Sequence, residues 1–107
     1  MPMARPFSGG VWQAVWGTEG HTVTFSQDGT YQWLAPDNTR WQGTWTLGKG
    51  ILYVTDWRAG EPRLRRSWKV QLVRTASGWK GEVSGDYHVA LHLKRLPRAE
   101  LLKAPKE

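Results

Sequence analysis

Side chains between Arg40 and Trp57 alternate in character in a way that suits a β-strand and no helix. Every second residue of the first part is apolar or glycine, and the residues between them carry amides or hydroxyls. The two sets are Trp41, Gly43, Trp45 and Leu47, and Gln42, Thr44 and Thr46. Because successive side chains of a strand point to opposite faces, this stretch has one aromatic face and one polar face. A Gly-Lys-Gly turn then leads into a second β-branched run, which predicts a hairpin.

The same unit, a short alternating strand followed by a polar turn, recurs along most of the chain. It predicts strands at 10–16, 21–26, 30–35, 40–47, 51–57, 67–74, 79–83 and 87–96. No apolar stripe has a helical period over a length that would pack. The connections are too short for the crossovers that parallel strands need. We therefore predict an all-β fold: an eight-stranded antiparallel up-and-down barrel, with a sandwich as the alternative.

A chain of 107 residues suffices for one domain. We expect the barrel to occupy residues 10–97, between an irregular segment at 1–9 and a tail at 98–107 that begins with one helical turn. The chain contains no cysteine, so it has no disulfide framework. No apolar run follows Arg5, and no stretch approaches the ~20 apolar residues of a membrane-spanning helix. We therefore expect a cytoplasmic protein without a membrane span.

Positive charge is concentrated in the second half of the chain. Residues 1–50 carry three basic and three acidic side chains, so the whole formal net charge of +6 lies in residues 51–107. Such a field favours anionic partners, although a solvated basic surface explains it equally well. The longest predicted connection, the loop Arg58–Arg66, contains Arg63, Arg65 and Arg66.

The first and last predicted strands each carry a recognisable feature. Gly10-Val11-Trp12 is a Gly-x-Trp at the start of the first strand, and Arg95 lies near the end of the last. This pairing resembles the lipocalin and fatty-acid-binding (calycin) superfamily. The resemblance implies that Trp12 plugs one barrel end and that Arg95 packs across it; a core role for Trp12 is the alternative. Thr55-Asp56-Trp57 is similar to the lipocalin Thr-Asp-Tyr motif, but lies earlier in the chain. The flanking helix and the helical lid of the superfamily are missing from the pattern.

The aromatic face of the strands is the first candidate binding site. A barrel of eight strands is just wide enough for its own side chains or for one small ligand. We therefore expect either a solid aromatic core or a small binding protein for an apolar or aromatic molecule. Gly43 and Gly81 would leave room for neighbouring indoles or for such a guest. The predicted ligand-binding residues are Tyr31, Trp33, Trp41, Trp45, Tyr53, Trp68, Arg65 and Arg66. Arg65 or Arg66 would lie at the mouth and attract an anionic head group.

The loop Arg58–Arg66 is the second candidate. Its arginines could grip phosphates while Trp57 stacks on bases, which would make the protein a basic module that docks on nucleic acid or on an acidic protein surface. We expect no enzyme, because the chain has no cysteine, no Gly-x-Ser-x-Gly and no evident carboxylate pair. We also expect no cofactor and no metal. His88 and His92 share a strand face but stand ~13 Å apart, too far to chelate one ion.

Overall fold

The computed structural model describes residues 10–95, whose regular structure consists of nine β-strands. These are β1 (Gly10–Trp16), β2 (Glu19–Phe25), β3 (Thr30–Leu34), β4 (Arg40–Gly48), β5 (Ile51–Arg58), β6 (Glu61–Gln71), β7 (Val73–Arg74), β8 (Gly78–Gly85) and β9 (Val89–Arg95). No helix that is long and apolar enough to span a membrane occurs in this part of the chain. The predictions for residues 1–9 and 98–107 lie outside the described residues.

The strands form one antiparallel sheet that closes on itself. Its order is β6-β5-β4-β3-β2-β1-β9-β8-β7, and an additional pairing of β6 with β8 joins the two sides. Eight strands therefore make a closed up-and-down barrel, and the two-residue strand β7 pairs with β8 beside it. The predicted barrel is confirmed, and the sandwich alternative is not needed. Closure removes the free strand edges that an open sheet would present.

Strand parity decides which side chains enter the barrel. The aromatic parity of the central hairpin faces inward, and Trp45 keeps only 4% of its surface exposed. The buried apolar residues are Trp12, Ala14, Val23, Phe25, Tyr31, Trp33, Trp45, Leu52, Val54, Trp68, Val70, Leu72, Val83, Leu91 and Leu93. Several of the aromatic rings meet edge to face, as aromatic pairs prefer: the ring centroids of Phe25 and Trp45, for example, lie 5.2 Å apart.

Two inward glycines serve close packing of the backbone. A Cβ atom on Gly43 would collide with the backbone of Thr55 and Asp56 on β5, and one on Gly81 would collide with the carbonyl oxygen of Gln71. Glycine is required where another backbone approaches so closely. These positions therefore leave no room for a guest, contrary to the sequence-based expectation.

The prediction of a loop at Arg58–Arg66 is wrong, because this segment is a β-hairpin. β5 continues to Arg58 and β6 begins at Glu61, so that only Ala59 and Gly60 form the turn, and Gly60 has a φ of 87°. The sequence pattern did not indicate the first part of β6, because the hairpin extends beyond the barrel end. Residues 61–65 are exposed on both faces, so they show no apolar alternation. In this part β6 pairs with β5 alone. It is therefore an edge strand, where a proline such as Pro62 is tolerated.

The predicted strand 67–74 is two strands rather than one. β6 ends at Gln71, and the short β7 follows after Leu72. The backbone N–H of Leu72 donates to the carbonyl of Gly50 at 2.9 Å, in the β4–β5 turn, instead of joining the ladder to β8. The pairing with β8 is interrupted at this point and resumes in the same register at Val73, opposite Lys80.

Parity on β4 predicts an asymmetry in stability. Trp45→Ala should lower the free energy of unfolding by about 3–5 kcal/mol, because the truncation loses buried aromatic surface and leaves a cavity. Thr44→Ala and Thr46→Ala, which lie on the exposed face, should each cost under about 1 kcal/mol. Denaturant unfolding of the three variants measures the difference. Equal losses at the three positions would contradict the strand assignment.

Candidate functional site at the Arg66 end of the barrel

The barrel has two structurally different ends. The turns β1–β2, β3–β4, β5–β6 and β8–β9 lie at one end, which we name the Arg66 end. The remaining turns, together with the start of β1 and the end of β9, lie at the opposite end, the Arg95 end. A buried ion pair distinguishes the first, and two arginine–tryptophan contacts distinguish the second.

Asp56 and Arg66 form an ion pair inside the Arg66 end. They are direct cross-strand partners on β5 and β6. Arg66 donates from Nε to Asp56 Oδ1 at 2.7 Å and from Nη2 to Oδ2 at 3.1 Å. Asp56 is fully buried and Arg66 is 8% exposed. Two parallel bonds of this length are the strong bidentate geometry of a guanidinium and a carboxylate.

Four aromatic rings surround the Arg66 guanidinium. Its Cζ atom lies 4.0 Å from the ring centroid of Trp41, 5.3 Å from Trp33, 5.6 Å from Trp16 and 5.9 Å from Tyr87. We call these four residues the Arg66 cage. A cation over aromatic faces is attracted by the ring quadrupole, more strongly when it is desolvated. The cage therefore compensates part of the cost of burying this arginine.

The ionisation of the pair follows from its surroundings. Burial raises the pKa of Asp56, against the opposing effect of its hydrogen bonds with Arg66. Burial by itself would lower the pKa of Arg66, but the hydrogen bonds and charge of Asp56 outweigh it, so that the pKa of Arg66 is raised. The raised pKa of Asp56 favours its neutral form, whereas the raised pKa of Arg66 favours its charged form. We take both groups as charged at neutral pH, because the bidentate bonds require a guanidinium and a carboxylate.

Three buried polar atoms near the cage lack a hydrogen bond of regular geometry within the described chain: Tyr31 Oη, Trp68 Nε1 and His21 Nε2. Tyr31 interacts with Asp56, and burial raises its pKa well above the ordinary value. Trp68 packs edge to face on Trp16, with ring centroids 5.2 Å apart. Buried polar groups normally have partners, so three such atoms at one barrel end call for an explanation.

His21 extends the polar cluster to the rim. Trp33 donates its indole N–H to His21 Nδ1 at 2.8 Å, so Nδ1 is unprotonated and Nε2 carries the hydrogen of the neutral ring. Nε2 lies 3.4 Å from Glu19 Oε1. Burial lowers the pKa of His21, and Arg66 adds to this effect, whereas Glu19 opposes it.

The Arg95 end contains the residues that carry the superfamily resemblance. Trp12 and Arg95 are direct partners on β1 and β9, and the Arg95 Cζ atom lies 5.3 Å from the Trp12 ring centroid. A Cβ atom on Gly10 would collide with the Arg95 guanidinium, so the glycine of the Gly-x-Trp motif makes room for that side chain. The predicted contact is present. Its interpretation as a plug inherited from that superfamily stays a prediction.

The predicted ligand-binding residues divide into an inner and an outer group. Tyr31, Trp33, Trp45, Trp68 and Arg66 are buried inside the barrel, and Trp41 is half-buried at the Arg66 end. Two residues were placed wrongly. Tyr53 lies on the outward parity of β5 and is 44% exposed, and Arg65 lies on the outward parity of β6, with its Cζ atom 5.4 Å from the Trp57 ring centroid. Both side chains lie on the outer face of the barrel.

The sequence analysis missed His21, Asp56 and Tyr87 as members of the site. Asp56 shares its parity with the buried Leu52 and Val54, so an acid on an apolar parity was the available signal. Tyr87 lies between strands, where parity says nothing. The indole N–H of Trp33 donates to His21 Nδ1, and the indole N–H of Trp45 donates to the carbonyl oxygen of Ser26.

Two surface depressions of the described chain lie away from the Arg66 cage. One of about 390 Å³ occupies the outer wall around Val15, Val73 and His92, and one of about 380 Å³ lies at the Arg95 end. Among residues 10–95, no group of three or more His, Asp or Glu side chains is close enough to hold a metal ion.

No family model matches this chain, and neither a curated protein nor a solved structure shows significant similarity to it.

The buried pair predicts a coupled response to mutation. Arg66→Met should lower the free energy of unfolding by about 3–5 kcal/mol, because it leaves the Asp56 charge buried and unpaired. The double variant Asp56→Leu/Arg66→Met should recover much of this loss, since it removes both charges. Arg65→Met, one residue away on the outer face, should cost under about 1 kcal/mol. Denaturant unfolding of the variants tests this, and strictly additive losses in the double variant would contradict it.

His21 predicts a pH dependence of stability. Because its pKa is lowered in the folded protein, the unfolded chain binds a proton more readily, and stability should fall as the pH drops below about 6.5. His21→Gln keeps an acceptor for Trp33 and should flatten the pH profile of the melting temperature between pH 7.5 and 5. The pKa of His92 is also lowered. The variant His92→Gln therefore measures how much of the pH dependence comes from His92 rather than from His21. An unchanged profile in His21→Gln would contradict the prediction.

Proposed function

We propose that this chain is a small non-enzymatic binding protein that takes an apolar or aromatic molecule with an acidic group at the Arg66 end. The observation that carries the proposal is the chemistry of the buried polar atoms there. The Trp68 indole offers a buried N–H donor that lacks a partner among the described residues. The Nε2–H of neutral His21, 3.4 Å from Glu19, and the Tyr31 hydroxyl, which interacts with Asp56, are two further donors. Buried donors that have no regular partner favour a ligand with acceptor oxygens, such as a carboxylate, or bound water.

Arg66 supplies the charge that such a ligand would need. Asp56 occupies Nε and Nη2 of the guanidinium, and Nη1 takes no part in that bidentate pair. The proposal assigns Nη1 to the acidic group of the ligand. The guanidinium is held in place by Asp56 and by the Trp41 ring, so little side-chain freedom is lost on binding.

The rim offers an apolar surface for the body of the ligand. Trp16 and Trp41 are half-buried, and Tyr87 is 39% exposed. The deeper rings pack on one another; Trp33 and Trp68, for example, are only 2% and 3% exposed. The proposal therefore places the ligand against the cage at the rim rather than in the middle of the barrel. A role in carrying ligands agrees with the calycin-like features of the sequence, which themselves remain a resemblance.

A pair of probe ligands tests this function. We expect 2-naphthoate to bind, and 2-methylnaphthalene, which lacks the carboxylate, to bind at least about tenfold more weakly, because a hydrogen bond with a charged group is worth about 1.5–3 kcal/mol. Isothermal titration calorimetry measures both affinities. Arg66→Lys keeps a cation beside Asp56 but loses the planar fork, and should abolish the preference for the carboxylate.

Two further variants sharpen the test. Tyr31→Phe removes a buried hydroxyl that interacts with Asp56, so it should weaken 2-naphthoate binding about fivefold and lower the free energy of unfolding by about 1 kcal/mol. Arg65→Lys, on the outer face, should change neither. If neither probe binds, or if Arg65→Lys weakens binding as much as Arg66→Lys, the proposed site is wrong.

The second function considered from the sequence was docking of the basic segment Arg58–Arg66 on nucleic acid or an acidic protein. Arg66 is buried and paired, and Arg58 lies 3.5 Å from Glu61 in an ion pair. Arg63 and Arg65 remain exposed on this hairpin. A macromolecular site therefore needs support from other parts of the surface.

A further inference from the structure

The outer face of β4, β5 and β6 combines aromatic and basic side chains in a regular arrangement. One cross-strand row consists of Gln42 on β4, Trp57 on β5 and Arg65 on β6. Trp57 is half-buried, and the Arg65 guanidinium lies over its ring with 5.4 Å between Cζ and the ring centroid. This row presents a flat ring beside a cation and an amide.

A second row of the same kind lies four residues along β5. It consists of Thr46, Tyr53 and Lys69. Tyr53 is 44% exposed, and Lys69 is exposed as well. A shallow depression of about 210 Å³ lies beside this tyrosine and is lined in part by Thr55, Ser67 and Lys69. We call the outward residues of β4, β5 and β6 the outer ladder.

Hydroxyls separate the two aromatic rows. The row between them contains Thr44, Thr55 and Ser67, and the last two approach each other at 3.3 Å between their hydroxyl oxygens. Four residues along a strand correspond to ~13 Å. A single planar ligand cannot stack on both rings across that distance, whereas a chain that carries several planar groups can.

Basic side chains outnumber acidic ones on the outer ladder. The outward positions of β4, β5 and β6 include Arg40, Arg63, Arg65 and Lys69, and the one acid among them, Glu61 beside the hairpin turn, lies 3.5 Å from Arg58. Of the nearby acids, Asp56 points inward to Arg66 and Asp86 accepts a hydrogen bond from the backbone N–H of Ser67 at 2.8 Å. The complementary partner is therefore a polyanion.

We propose that the outer ladder binds single-stranded nucleic acid. Bases would stack on Tyr53 and Trp57, phosphates would bind Arg40, Arg65 and Lys69, and the hydroxyl row would contact the sugars between them. Stacking on separate aromatic rings beside cations is how proteins hold single strands without reading their sequence. A duplex hides the faces of its bases, and an acidic protein surface offers charge without regularly spaced planar groups. This proposal does not rest on the proposed function, because it uses the outer side of the barrel wall.

The salt dependence of binding gives the first test. Fluorescence anisotropy with labelled dT12 and U12 measures the dissociation constant at 50 and 200 mM salt. Three phosphate contacts predict a slope of about −2 in log K against log salt, which is about a twentyfold loss over this range. Lys69→Gln removes one contact and should reduce that loss to about sevenfold. Lys80→Gln, on β8 outside the ladder, is the matched control and should behave like the wild type.

Stacking is tested separately from charge. Tyr53→Ala should weaken oligonucleotide binding about fivefold or more without changing the salt slope, while Tyr53→Phe, which keeps the ring, should bind like the wild type. Tyr53 is exposed, so the melting temperature of both variants should stay near that of the parent. Tyr53→Ala should also leave 2-naphthoate binding unchanged, which separates this site from the Arg66 end.

Four outcomes would overturn the proposal: no binding of either oligonucleotide, binding that is independent of salt, equal losses in Lys69→Gln and Lys80→Gln, or equal affinity for poly-glutamate. The last would indicate an acidic protein partner. Duplex DNA that binds as tightly as dT12, and without a contribution from Tyr53, would contradict the stacking role.

Discussion

Closure of the sheet between β6 and β8 is the constraint on which the rest of the structure depends. The junction is short: Trp68, Lys69 and Val70 pair with Gly85, Ser84 and Val83. Once it forms, every inward parity faces one enclosed space, and eight strands leave a space that side chains can fill. Inward tryptophans on β1, β3 and β6 therefore pack edge to face on one another, and inward glycines let neighbouring strands approach.

The buried pair Asp56–Arg66 is a consequence of the same closure. An acid and an arginine on inward parities would each be costly to bury alone, and antiparallel register places them directly opposite. A buried ion pair is weak evidence for stability, because desolvation offsets most of the attraction. Its effect here is positional: it holds a guanidinium among four rings at one barrel end, where an apolar side chain would fill space without offering a donor.

The two sides of the barrel wall provide two chemically different surfaces from the same strands. On β6, Arg66 is buried beside Trp41, while Arg65 is exposed beside Trp57. Adjacent residues of one type thus belong to different proposed sites, one for a small acidic ligand and one for a polyanion. Strand alternation alone produces this separation, and it allows each site to be altered without disturbing the other.

The sequence by itself determined the fold class, the inward aromatic parity and most strand positions, because period-two alternation and Gly-rich turns are local signals. It did not reveal the β5–β6 hairpin, whose exposed residues carry no alternation, and it placed Tyr53 and Arg65 on the wrong side of the wall. Only the tertiary structure decided that Asp56 pairs with Arg66, that Gly43 and Gly81 bring strands close, and that donors of Tyr31, Trp68 and His21 gather at one end. These facts depend on register and closure, which join residues far apart in the chain and leave no periodic trace in it.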